Sequence, residues 1–306
     1  MQTTENLFDE PIQFPDPDAQ ERLNRLVGID DHRSRLEKTL AILVNPAGLK
    51  GWAEKYHPKS RSLVKLLLSR PPLVILSGDV GSGKTELATH IGDSVARNHG
   101  IDVTLFSLSL SARGQGKVGE MTRLVSQAFA DTIQEAKKFA SADGKARGGI
   151  ILLIDEADAL AQSRESEQMH HEDRAGVNAF IRGIDRLASA NVPAAVLMCT
   201  NRLNALDPAI QRRAADVLTF DRPNKEKRAL LLQNPLSELG FTPADIEKAV
   251  ELTGSRDNLQ YGFTFSDLVH RVLPGIVLQA FPSGPVDSKV ALKFIAQLKP
   301  TPPFQQ

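Results

Sequence analysis

The stretch Leu73-Val-Ile-Leu-Ser77, followed by Gly78-Asp-Val-Gly-Ser-Gly-Lys-Thr85, constrains this chain more than any other. The apolar run reads as a buried strand. The pattern G-x-x-x-x-G-K-T comes next, and a helical pattern then runs from Glu86 to Asn98. Glycines at 78, 81 and 83 let the backbone turn tightly, so that successive N–H groups point inward in the way phosphate oxygens require. A helix N-terminus adds partial positive charge. In such a loop Lys84 reaches the β- and γ-phosphates of a nucleoside triphosphate, and the Thr85 hydroxyl ligates Mg²⁺. The candidate nucleotide-binding residues are therefore Asp79, Val80, Gly81, Ser82, Gly83, Lys84, Thr85 and Glu86. A Gly-rich turn without a ligand is the competing reading, and the strand–loop–helix order argues against it.

The flanking sequence supplies the rest of an α/β layered domain. Asp102–Leu110 alternates as a half-buried strand does, and Met121–Ala140 is a long amphipathic helix. Gly149–Glu156 is an unbroken apolar run ending in two carboxylates, which implies a parallel sheet buried on both faces. Gly176–Ser189 reads as a helix, Pro193–Asn201 as another buried strand, and Val217–Phe220 as a last short one. Beyond Pro223 the strand pattern stops, and Asn224–Asn234, Pro243–Thr253, Ser266–Ala280 and Asp287–Leu298 read as helices. The expected organisation is an acidic flexible arm over 1–20, a large α/β domain over 21–222, a small helical domain over 223–299 and a loose tail over 300–306. The segment 45–70 holds the chain's one tryptophan, Trp52.

Ligands of open α/β sheets gather at the carboxyl ends of the strands. There, Asp155 can hold Mg²⁺ through water and Glu156 can polarise an attacking water, although paired acids also cap helices. Asn201 can hydrogen-bond both the γ-phosphate and that water, or begin a turn with Asp207-Pro208. Arg213, and less so Arg212, could reach a neighbouring subunit's γ-phosphate as a guanidinium supplied in trans; adjacent arginines are otherwise solvated surface charge. His170-His171-Glu172-Asp173 lacks useful metal-ligand spacing and reads as a solvated loop.

Composition removes several classes. Lys+Arg 37 balances Asp+Glu 37, which argues against a general nucleic-acid or membrane-surface binder. No apolar stretch approaches the ~18 residues of a membrane span. One cysteine, Cys199, rules out internal disulfides and fits a reducing, cytoplasmic setting.

Taken together, residues 22 to 282 resemble an AAA+ ATPase: a P-loop three-layer parallel-sheet domain followed by a small all-α lid. Gly78–Thr85 matches Walker A, Ile150–Glu156 matches Walker B, and Asn201 matches the sensor-1 position. Leu206–Arg213 resembles the segment bearing arginine fingers, and Gly262–Leu268 falls where the lid's sensor-2 helix begins. The resemblance implies that Val27-Gly28-Ile29 is the strand-like segment against adenine, so Gly28 and Ile29 join the cofactor-binding set. It also implies ATP and Mg²⁺ as cofactors and a homo-oligomeric ring, a hexamer. Arg174–Asp185 is similar to a helix of protein-remodelling AAA+ members, and Arg213–Asp216 and Val269–Pro274 resemble the pachytene-checkpoint remodellers of HORMA-domain proteins, whose compact bacterial relatives accompany antiphage cyclic-nucleotide signalling. A HORMA-domain client, engaged through a central pore, is what that resemblance implies. The chain departs from the pattern twice. Lys117-Val118-Gly119 stands where the pore loop presents an aromatic, and Asp267-Leu268 stands where the lid arginine is expected, with Arg271 one turn on. A DNA-associated AAA+ helicase or clamp loader is the alternative, and it calls for a basic face that the neutral composition does not supply.

Overall fold

The computed structural model of the protein describes residues 7–109, 120–140, 146–157, 171–256 and 259–303. Those residues divide into two compact units. The first takes the described residues within 1–24, 31–77 and 85–219; the second takes those within 25–30, 78–84 and 220–306. Two short N-terminal segments thus cluster with the C-terminal helices, a grouping that no composition shift along the chain marks.

The first unit is built on a six-stranded sheet of β1 (Ile12–Phe14), β2 (Leu73–Gly78), β3 (Asp102–Ser109), β4 (Gly148–Asp155), β5 (Ala194–Thr200) and β6 (Ala214–Phe220). The strand order is β1-β3-β4-β5-β2-β6. β3 with β4, β4 with β5, and β2 with β5 pair in parallel, while β1 lies antiparallel to β3. Every residue of β5 is buried, as is all of β4 before Asp155, which is why both strands read as continuous apolar runs. The helices of this part are α1 (Pro17–Arg25), α2 (Asp30–Val44), α3 (Pro46–Tyr56), α4 (Arg61–Leu68), α5 (Lys84–His99), α6 (Glu120–Lys137), α7 (His171–Ala190) and the short α8 (Pro208–Gln211). One core gathers Ile75, Leu152, Ile154, Val196 and Met198 with Phe129 of α6 and Phe180 of α7. The two rings meet edge-on at 5.5 Å. The close packing of these helices depends on Gly183, where a Cβ would lie 2.3 Å from the Phe129 ring.

The expectation of a flexible arm over residues 1–20 fails from residue 7 onward. Phe14 is 3% exposed, and β1 registers Ile12, Gln13 and Phe14 against Leu105, Thr104 and Val103. Asp16 then caps α1 by accepting from the Ala19 N–H at 3.0 Å, while its own N–H donates to Asp93 at 2.8 Å. A three-residue strand between prolines is too short for periodicity to reveal. α7 begins at His171, so what the structure describes of the His170–Asp173 segment is helical backbone rather than loop.

The second unit is helical: α9 (Lys225–Glu238), α10 (Pro243–Leu252), α11 (Phe265–Asp267), a π-helical turn (Leu268–Val272), α12 (Leu273–Leu278) and α13 (Ser288–Gln297). Leu232, Leu236, Phe241, Phe263, Leu268, Ile276 and Ile295 form its core. α9 does not stop before Pro235, as the sequence suggests, but carries the proline inside its last turns. Pro235 costs one backbone donor, and burial of Leu232 and Leu236 on either side outweighs that loss. The tail is not loose as far as it is described: Thr301 donates from its N–H and hydroxyl to Asp267 at 3.0 and 2.7 Å. Among the described residues no helix is long and apolar enough to cross a membrane.

Candidate nucleotide site

The candidate residues fall in both compact units. In the second unit, the loop after β2 turns at Gly78, where a Cβ would lie 2.1 Å from the Phe220 carbonyl oxygen, so a side chain cannot be fitted there. Gly81 (φ +70°) and Gly83 (φ +92°) adopt the left-handed backbone that glycine tolerates. Lys84 is 6% exposed, and its ammonium donates to the carbonyls of Gly78 at 2.9 Å and Asp79 at 2.8 Å and to Ser82 Oγ at 3.3 Å. The charge is therefore held inside the loop by the loop's own oxygens, poised on the backbone that would wrap a phosphate. Asp79 Oδ1 accepts the Val80 N–H at 2.8 Å, and Asp79 Oδ2 accepts from Arg222 Nε at 2.6 Å. Ser266 N–H donates to the Gly81 carbonyl at 3.0 Å.

Gly28 and Ile29 belong to the same unit. They sit in a bend between α1 and α2 and form no strand, which corrects the strand-like expectation for this segment. Gly28 has φ +77°, a Cβ there would lie 3.1 Å from the Lys227 side chain, and Ile29 is buried.

In the first unit, Thr85 Oγ1 donates to Asp155 Oδ1 at 3.2 Å, and the Glu156 N–H donates to the same carboxylate oxygen at 2.9 Å. Parallel pairing of a buried strand delivers Asp155 to a carboxyl end, and the chain then turns sharply. Glu156 has φ +52°, a left-handed conformation that costs a non-glycine residue on the order of 1 kcal/mol, and its side chain is exposed. Strain of this kind gathers at sites where a side chain must be aimed. β5 lies between β2 and β4, with Thr200 opposite Ser77 and Met198 opposite Ile154. Asn201, the next residue, therefore leaves the sheet between the ends of those two strands. Glu86 lies 3.6 Å from Arg22 and from His90.

Arg213 forms a two-pronged pair with Asp185 of α7, Nε to Oδ1 at 2.8 Å and Nη2 to Oδ2 at 3.0 Å, and Nη1 donates to the Ala209 carbonyl. The hydrogen bond to Asp185 holds its guanidinium pKa above the ordinary value. Arg212 Nε donates back to the Pro208 carbonyl at 3.2 Å. Lys117, Val118 and Gly119 lie outside the described residues.

The Thr85 hydroxyl and Asp155 carboxylate form a hard-oxygen pair, the chemistry that suits Mg²⁺, which draws on one or two protein ligands and fills its sphere with water and phosphate. Among the described residues no group of three His, Cys, Asp or Glu is placed to hold a metal by protein side chains alone.

Arg271 does not stand free as a lid arginine. Its guanidinium donates to Asp267 at 2.6 Å, to Thr301 Oγ1 at 3.4 Å and to the Lys299 carbonyl at 3.1 Å. Asp267 is 1% exposed and forms a capping box with Thr264. Burial alone would raise its pKa; hydrogen bonds from Thr301, Thr264 and Arg271 outweigh that and hold it below the usual carboxylate value. Sequence reasoning passed over Arg222 and Thr301. Arg222 was findable in principle, because Asp221-Arg-Pro223 marks the exit from the last strand; nothing local distinguishes Thr301.

Residues 74–222 match the model of the ATPase family associated with various cellular activities (AAA). CD-NTase-associated protein 6 of Escherichia coli (strain MS 115-1) is 60% identical over 300 residues, covering 98% of this chain and 96% of that protein. The chain belongs to the AAA ATPase family. Among solved structures, the E. coli MS115-1 HORMA:CdnC:Trip13 complex contains a chain that superposes on this AAA ATPase with a TM-score of 0.90, at 59% identity and 97% coverage of both. Rhizobiales Trip13 superposes with a TM-score of 0.76, at 49% identity, covering 97% of this chain and 100% of the other.

Proposed function

We propose that this AAA ATPase binds ATP with Mg²⁺ and uses hydrolysis to remodel a HORMA-domain client, restraining a CD-NTase-linked antiphage response. The observation that carries the client assignment is the near end-to-end similarity to a chain of the HORMA:CdnC:Trip13 complex, alongside the likeness to Rhizobiales Trip13. The Gly78–Lys84 loop receives the phosphates, with Lys84 exchanging loop carbonyls for phosphate oxygens. Thr85 and Asp155 would hold Mg²⁺, which would neutralise the charge that develops on the phosphates. Glu156 orients water toward the γ-phosphorus, Asn201 hydrogen-bonds water and phosphate, and Gly28 and Ile29 face the adenine. Arg213 serves a neighbouring subunit's nucleotide, with Arg212 beside it. This reading divides the chain into the α/β domain over 21–222 and a helical domain over 223–299, assembles it as a cytoplasmic ring, a hexamer, and assigns Lys117-Val118-Gly119 to grip the client.

The test is phosphate release and light scattering on the protein and on Glu156→Gln. The variant is expected to bind ATP, to accumulate as a closed oligomer and to lose at least about a hundredfold in turnover. It should also retain a HORMA-domain protein on affinity resin in ATP but not in ADP. Normal turnover by Glu156→Gln, or a strictly monomeric species at saturating ATP, would sink the proposal.

A further inference from the structure

Arg222 follows the last strand directly, and its guanidinium makes three contacts. Nε donates to Asp79 Oδ2 at 2.6 Å, and Nη2 lies 2.6 Å from the same oxygen. Nη1 donates to the Gly262 carbonyl at 2.7 Å. The group lies 4.8 Å from the centre of the Tyr261 ring. The two ionised side chains are 14% and 17% exposed, so water screens them far less than it screens a surface pair.

Asp79 is a node of the phosphate loop. Its Oδ1 takes the Val80 N–H, its carbonyl takes the Lys84 ammonium, and its Oδ2 takes Arg222. Arg222 thus holds the Asp79 carboxylate from outside the loop, while the loop's own groups hold its other oxygen and its peptide. On the other flank, the Ser266 N–H holds the Gly81 carbonyl, and a Cβ on Gly81 would meet Ser266 Cβ at 2.7 Å and Thr264 Oγ1 at 2.9 Å. The loop has little apolar anchorage of its own, since Val80 is 40% exposed. A glycine-rich loop held mainly by polar contacts has many alternative conformations, and any that persist must be given up when phosphate binds.

We propose that Arg222 is a positioning residue for nucleotide binding: acting through Asp79, it braces the first turn of the phosphate loop against the Tyr261–Ser266 segment. The inference rests on the nucleotide-binding reading of the loop. It makes the affinity of the loop a property of an ion pair that no phosphate-loop pattern contains.

The experiment uses the full chain, a fluorescent ADP analogue, steady-state hydrolysis and thermal melting. Arg222→Ala is expected to raise the Kd for the analogue and the KM for ATP about tenfold, with kcat at saturation within about threefold of the parent. Arg222→Lys should recover part of the loss, because it keeps the charge and forfeits the fork. Arg222→Ala combined with Asp79→Asn should weaken binding no more than the worse single change, as expected of two groups acting through one contact. Unchanged Kd and KM in Arg222→Ala alongside a lowered melting temperature would overturn the proposal in favour of a purely structural pair. Fully additive losses would overturn the route through Asp79. Failure of the parent protein to bind the analogue would count against the nucleotide reading itself, a result separable from both.

Discussion

Arg213 and Arg222 each close a double contact on an aspartate, and the surroundings of the two pairs differ. Arg213 and Asp185 are 31% and 54% exposed, whereas Arg222 and Asp79 are 14% and 17% exposed. An exposed pair contributes about 0.2–1 kcal/mol, because water solvates each ion nearly as well as its partner does. Arg213 can therefore leave Asp185 for another anion at small cost, as its proposed role toward a second subunit requires. Removing one member of a shielded pair strands the other charge away from water, so Arg222 is held where it is. The same two side-chain types thus make a releasable contact in one place and a fixed brace in the other. A third pair lies between these cases: Asp267 is 1% exposed and its partner Arg271 is 44% exposed.

The sharpest way to break this comparison is Arg213→Ala. It is expected to lower kcat by roughly a thousandfold, in the range of an arginine supplied in trans. The melting temperature of the isolated protein should hardly move. A large stability loss with turnover intact would reverse the roles of the two arginines. Next in size is Asp267→Ala, expected to cost about 2 kcal/mol in denaturant unfolding through lost hydrogen bonds to a charged group. Its pH dependence has a definite sign. The folded-state pKa of Asp267 is depressed, so its contribution is fully present above the unfolded value and is lost as pH falls through the folded one. The stability gap between parent and Asp267→Asn should therefore narrow below about pH 4. A gap that widens on acidification would contradict the hydrogen-bond assignment. Asp79→Asn should cost about 1–2 kcal/mol, since the amide oxygen still accepts the Val80 N–H while the ion pair is lost. Smallest is Asp185→Asn, expected to change stability by less than about 1 kcal/mol. If Asp185→Asn cost as much as Asp79→Asn, the contrast between an exposed and a shielded pair would fail.

Sequence legibility followed the range of the interactions. The phosphate loop could be read because its requirements are local: glycine where φ is positive, and a lysine and a hydroxyl at fixed offsets between strand and helix. β4 and β5 could be read because burial on both faces demands an uninterrupted apolar run. β1 could not, because Phe14 owes its place to a long-range register against Val103. The passage of α9 through Pro235 was hidden for a similar reason, since packing of Leu232 and Leu236 overrides a local helix breaker. Local pattern does show an acidic pair at Asp155-Glu156, but not the left-handed backbone that the chain adopts at Glu156.

By itself, then, the sequence determined the chemistry available at each strand end and the α/β class, because spacing and residue type act over a few positions. Tertiary structure alone decided which charges meet and how far water reaches them. Arg213 meets Asp185, Arg222 meets Asp79 and Thr301 meets Asp267 across separations of 28, 143 and 34 residues. Burial, not spacing, sets what each of those meetings is worth. The phosphate loop announces itself in the sequence, and the brace that shapes it appears only when the chain is folded.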